Sequence, residues 1–150
     1  MVKTDYPQIN AMLESIIADV PYTMTNLANA SALLFGKMDG ISWAGFYTLK
    51  DGKLVLGPFQ GKVACTVIPM GKGVCGSCAA EDRTIVVPDV HKFSGHIACD
   101  SASNSEIVVP IHRKGGLFGI LDIDSPHFNR FNEEDRAGLE EFARILEKGI

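Results

Sequence analysis

The sequence contains no apolar run approaching the roughly 18 residues that a membrane-spanning helix needs, no block of cations, and no cysteine outside one central segment. The first absence argues against a transmembrane protein. The second bears on partners. Lys62, Lys72, Arg83 and Lys92 are scattered, and the net charge is −4 with an isoelectric point near 5.5. Nucleic acids and anionic membranes bind clustered cations, so neither is expected here. The opening stretch MVKTDYPQIN brings Asp5 and Pro7 too early for a secretion signal, which makes the cytoplasm the expected location. Core-forming residues are not scarce. With 46% hydrophobic and 21% charged residues in a chain of 150, the composition is that of one globular domain able to bury a core unaided.

The cysteines are the first positive signal. Cys65, Cys75, Cys78 and Cys99 crowd into one segment, and the rest of the chain has none. In a reducing compartment such clustering points to reactive or metal-binding thiols rather than structural disulfides. Buried, inert thiols are the plain alternative.

Periodicity supplies the frame. Ile9, Met12, Leu13, Ile16, Ile17 and Val20 recur at helical spacing, with Pro21 as the expected stop. Met24, Leu27, Ala28, Ser31, Leu34, Phe35 and Met38 repeat the pattern up to Gly40. The period then shortens to that of strands. Ile41 to Leu49 and Lys53 to Phe59 read as a hairpin across Asp51-Gly52, followed by a short strand at Thr66 to Ile68 and a short helix at Val74 to Ala80. Ile85 to Val87 is a further strand. Pro88 to Ser105 is irregular, and irregular segments of that length in a compact domain are usually functional. Glu106 to His112 and Leu117 to Asp124 form a second hairpin through Lys114-Gly115-Gly116. Asn132 caps a last helix with Glu133, Glu134 and Asp135 in its first turn, where acids suit the helix dipole. The expected architecture is α+β, a single domain over 1–150. Leading helices fill 1–40, the sheet, pocket and cysteine loops fill 41–131, and a closing helix fills 132–150. Helices should pack on one face of an antiparallel sheet, with a loop-covered pocket on the other.

Alternation along strands then groups the polar candidates. Trp43 and Tyr47 share one face of the first strand. Asp122 and Asp124 share one face of theirs, with Leu121 and Ile123 opposite. Glu106 opens the neighbouring strand, where a third acid would converge. Like charges so placed raise one another's pKa unless a cation sits between them; a solvated sheet face is the plain alternative.

Taken together, WAGFY, GPFQGKVAC, GKGVCG, DVHKFSGHIACDSASNSEIVVPI and GILDIDSP resemble the free methionine-(R)-sulfoxide reductases, enzymes built on a GAF domain. The likeness runs from Trp43 through the final helix, and the two leading helices suit the same domain. It implies thiol-dependent reduction of free methionine-(R)-sulfoxide. Cys99 would be the nucleophile, Cys65 the resolving thiol, and Cys75 an auxiliary or alternative resolving thiol. Trp43 and Tyr47 would line the substrate pocket. Glu106, Asp122 and Asp124 would bind the ammonium group and the sulfoxide oxygen, with Glu106 and Asp124 also serving catalysis. Cys78 departs from the three-cysteine pattern and is either a bystander or a participant in exchange. The family also implies thioredoxin or a similar dithiol as reductant and a homodimer paired through the terminal helices.

The chemistry asks for these residue types in its own right. A sulfoxide sulfur becomes electrophilic when its oxygen is protonated or strongly hydrogen-bonded, and a carboxyl kept neutral by its neighbours can supply that bond. Thiolate attack leaves a sulfenic acid, which a second thiol condenses to a disulfide. No cofactor and no metal is required. His96, three residues before Cys99, could lower the thiol's pKa, and His91 could act as a ligand, although a loop histidine is more often structural; Asp89 and Asp100 flank the same loop and could contact substrate. Three other readings stand beside this one. They are a GAF module that binds a ligand or senses redox state without turnover, a zinc site on Cys75 and Cys78 with Cys65, Cys99 or His91, and a thioredoxin-like use of Cys75-Gly-Ser-Cys78. The zinc reading lacks a second CxxC or a His pair, and the thioredoxin-like reading lacks a βαβ context.

Overall fold

A computed structural model describes residues 1–97, 99 and 102–150. Helices α1 (Tyr6–Ile17) and α2 (Thr23–Lys37) lead into strands β1 (Trp43–Lys50), β2 (Lys53–Gln60) and β3 (Val67–Pro69). Helix α3 (Gly73–Glu81), strand β4 (Ile85–Val87), strands β5 (Ser105–Arg113) and β6 (Gly116–Ser125) and helix α4 (Glu133–Leu146) complete the chain. One antiparallel sheet takes the order β3-β2-β1-β6-β5-β4, so the two hairpins join side by side through β1 and β6.

Local chemistry explains most boundaries. Asp51 and Gly52 both have positive φ, as do Lys114 and Gly115, the backbone that tight hairpins require. In α4 the Asn132 side chain accepts from the Asp135 N–H at 3.0 Å, while the Asp135 carboxylate accepts from the Asn132 N–H at 2.8 Å. The side chain of Asp5 caps α1 by accepting from the Gln8 N–H. The spacing carries the first helix to Val20, but α1 ends at Ile17. Asp19 takes φ 60° there and turns the chain before Pro21 is reached.

The sheet separates two apolar layers. On one face α1, α2 and α4 pack Leu13, Leu34, Leu139 and Phe142 against Phe46, Ile107, Leu121 and Ile123 of the central strands, all essentially without solvent contact. On the other, Trp43, Tyr47, Val108 and Ile120 meet Val74, Cys78 and Ala79 of α3. Helices therefore cover both faces. The terminal helices hold one side as expected, and α3 joins the irregular segment on the pocket side. Among the described residues no helix is long and apolar enough to cross a membrane.

Candidate active site

Three strands deliver the polar residues in a row. Trp43 of β1 pairs with Asp124 of β6, and Asp124 pairs in turn with Glu106 of β5. Asp122 lies opposite Gly45 on one side and Val108 on the other. Gly45 lets Phe59 and Trp43 close over the strand: a Cβ there would strike the Phe59 side chain and come within 2.8 Å of the Trp43 ring. Trp43 stacks on Phe59 at 5.2 Å and on Tyr47 at 6.1 Å between ring centroids, forming an aromatic wall beside the acids.

The same aromatics hold the segment that carries Cys65. The Trp43 indole N–H donates to the Lys62 carbonyl at 3.0 Å, and the Tyr47 hydroxyl donates to the Cys65 carbonyl at 2.9 Å. Cys65 is joined to Cys99 by a disulfide, with Cα atoms 5.5 Å apart. Cys75 and Cys78 keep their thiols and are buried on α3. The disulfide closes beside a cavity lined by Trp43, Tyr47, Cys75, Glu106, Asp122 and Asp124, with Cys99 itself in the wall. Of the residues implied by the resemblance, Cys65 alone is outside that lining, and it is bonded to a residue within it.

Burial governs the electrostatics. It pushes the Glu106 carboxyl well above its ordinary range, and the charges of Asp122 and Asp124 push it further. Asp122 is also raised by burial, although hydrogen bonds with Glu106, Cys75 and Asp124 pull it back. Cys75 donates to Glu106 Oε2 at 3.8 Å, and burial together with Asp122 and Glu106 drives its thiol upward. Cys78 is driven up mainly by burial as well. Neither α3 thiol therefore resembles an exposed, electropositive reactive cysteine, which counts against the thioredoxin-like use of the Cys75-Gly-Ser-Cys78 turn.

The loop residues divide. His96 lines the cavity, and burial followed by the charge of His91 lowers its pKa, against an upward pull from Asp122. His91 turns away and pairs its Nε2 with Asn104 Oδ1 at 2.9 Å. Asp89 uses its carboxylate to accept from the His91 N–H at 3.0 Å, a turn cap. Asp100 lies outside the described residues. Ser103 was not visible to sequence reasoning as a site residue. It is buried in the cavity wall, and its hydroxyl has no partner among the described residues. A lone loop serine carries no pattern that would single it out.

The GAF domain family matches residues 9–150. The chain is 50% identical over 149 residues to the free methionine-R-sulfoxide reductase of Escherichia coli (strain K12), a match covering 99% of this chain and 90% of that one. Its structure is similar to that of fRMsr of Staphylococcus aureus in complex with substrate, with a TM-score of 0.95 at 48% identity, covering 99% and 97% of the two chains. It is likewise similar to the substrate complex of free methionine-R-sulfoxide reductase from Neisseria meningitidis, with a TM-score of 0.93 at 45% identity, covering 99% and 92%. Sharing half its residues with a reductase along essentially its whole length, the chain belongs to the GAF-domain family of free methionine-R-sulfoxide reductases.

Proposed function

We propose that this chain reduces free L-methionine-(R)-sulfoxide to methionine, with Cys99 as nucleophile and Cys65 as resolving thiol. The observation that carries the reading is the Cys65–Cys99 disulfide at a cavity walled by Trp43 and Tyr47 and floored by Glu106, Asp122 and Asp124. Substrate binds with its ammonium group among the carboxylates and its S-methyl group against the indole face. A protonated acid, Glu106 or Asp124, hydrogen-bonds the sulfoxide oxygen and makes the sulfur electrophilic. The Cys99 thiolate attacks that sulfur; methionine leaves, and the oxygen stays on Cys99 as sulfenic acid. Cys65 then displaces that oxygen as water and forms the disulfide. A dithiol such as thioredoxin restores both thiols and is itself oxidised. Cys75 remains available as an auxiliary thiol. The sum is sulfoxide plus dithiol giving methionine, water and disulfide.

The carboxylates also account for the free amino acid as substrate, because a peptide-bound residue has no ammonium charge for them to pair with. The cytoplasm, where dithiol reductants are maintained, is the compartment this cycle needs. A homodimer through the terminal helices belongs to the same reading, and light scattering of the full chain tests it. The activity is tested by methionine release from each sulfoxide epimer, free and N-acetylated, with a dithiol present. Release is expected from the free R epimer alone. Equal rates on both epimers, preference for the acetylated form, or ligand binding without turnover would reject the reading.

A further inference from the structure

The cavity contains a donor set that amine binding does not explain. The sulfur of Cys75 and one oxygen each of Glu106 and Asp122 lie within 4.8 Å of one another, and all three residues are buried. Two carboxylates are apt partners for an ammonium ion, but a thiol is not. Cys75 is also left out of the Cys65–Cys99 disulfide and keeps its thiol when that bond is closed. Two polar atoms of residues in the cavity wall have no hydrogen-bond partner among the described residues, Asp122 Oδ1 and Ser103 Oγ. Their residues are only 5% and 6% exposed, and both line the cavity. Ser103 is not one of the three donors, so its orphaned hydroxyl is a separate sign that this space is built to receive a polar ligand. Lys72, the one lysine or arginine in the lining among the described residues, is exposed, and His96 is the other basic side chain there.

We propose that Cys75, Glu106 and Asp122 form a binding site for a thiophilic divalent cation of the Zn²⁺ class, which blocks the pocket in competition with the substrate's ammonium group. The donors choose the metal. Zn²⁺ takes thiolate sulfur at about 2.3 Å and carboxylate oxygen at about 2.0–2.2 Å in four-coordinate sites, leaving one position here for water. Mg²⁺ and Ca²⁺ are served by oxygen and gain nothing from Cys75. Binding exchanges the thiol proton for a sulfur–metal bond, and nothing is oxidised or reduced. The site differs from the one the CxxC spacing suggests: Cys78, fully buried on α3, is not among the three donors.

Co²⁺ is the probe, because a cobalt–thiolate bond produces charge-transfer absorption that carboxylates alone do not. The reduced full chain, freed of small thiols, is titrated with Co²⁺ alone and then with Zn²⁺. One Co²⁺ per chain is expected, with a band that Zn²⁺ abolishes. The band should vanish in Cys75→Ser and persist in Cys65→Ser and Cys99→Ser. Glu106→Gln should keep the band but weaken binding about tenfold or more, which keeps the test decisive if Cys75→Ser does not fold. In Cys99→Ser, which cannot turn substrate over, methionine-R-sulfoxide should bleach the band. Absence of Co²⁺ binding, a band that survives Cys75→Ser, or unaltered affinity in Glu106→Gln overturns the site. Only the competition rests on the proposed reaction. If cobalt binds the trio and sulfoxide fails to displace it, the site stands and its competition with substrate is overturned.

Discussion

Replacing Glu106 with glutamine should move catalysis and stability in opposite directions. Glu106 is 7% exposed and stands in register with Asp124 across β5 and β6. Burial first, and then Asp122 and Asp124, raise its carboxyl above the ordinary value of 4.5. An acid raised in the folded state binds more protons there than in the unfolded chain, so stability is lost as pH climbs from the unfolded pKa through the folded one. The amide of Glu106→Gln has no proton to lose, and the variant escapes that loss. The expected gain at pH 7.5 is about 0.5–2 kcal/mol, the size of a common single stabilising substitution, with a flatter dependence of stability on pH above 4.5. Chemistry suffers meanwhile. Losing a positioned acid costs about 10²–10⁴-fold in rate, or about 3–5 kcal/mol of barrier at ~1.4 kcal/mol per tenfold. Urea unfolding at pH 5 and pH 8 beside single-turnover methionine release measures both. A variant that loses stability together with activity would make Glu106 a structural residue. An unchanged rate would remove it from the reaction.

Two further substitutions probe the scaffold. Tyr47→Phe keeps the ring but deletes the hydroxyl that holds the Cys65 carbonyl at 2.9 Å; disulfide closure, followed by rapid-quench thiol titration, should slow more than methionine release does. The hydrogen bond itself is worth about 1 kcal/mol, and equal slowing of both steps would show that the hydroxyl acts on substrate instead. Arg130→Ala takes the cation away from Asp135, which is buried against Arg130 at 3.4 Å and keeps only neutral donors, the Tyr6 hydroxyl at 2.7 Å and the Asn132 N–H at 2.8 Å. Breaking such a pair costs about 3–5 kcal/mol, so the melting temperature should fall sharply while the first turnover in folded protein stays intact; a loss below about 1 kcal/mol, the range of exposed pairs, would mean that the pair is solvated.

The parts of the fold that were legible in the sequence are those governed by neighbours along the chain. Asp51-Gly52 and Lys114-Gly115 announce the hairpins because few residues tolerate their backbone, and Asn132 announces α4 through its cap. The β1–β6 pairing that fuses the hairpins is non-local and leaves no local mark, so the sheet order emerged only in three dimensions. The same holds for the site. Asp122 and Asp124 share a face by strand alternation alone, but the row Trp43–Asp124–Glu106 depends on the register of three strands. Trp43 and Tyr47 were legible as pocket aromatics, yet their hydrogen bonds to the Lys62 and Cys65 carbonyls depend on how the segment after β2 folds back. The placement of α3 on the pocket side, and of the Ser103 hydroxyl in the wall, likewise had no signature in spacing or composition.

The division of labour between Cys99 and Cys65 is tested most directly by counting methionine released per chain in a single turnover, with each cysteine changed to serine. Cys65→Ser should release about one methionine per chain, because attack precedes resolution. It should then stall with thioredoxin and partly recover with a small thiol. Cys99→Ser should release none under any reductant, since serine is no comparable nucleophile at neutral pH. Methionine released by Cys99→Ser, or full thioredoxin-coupled turnover by Cys65→Ser, would contradict the assignment.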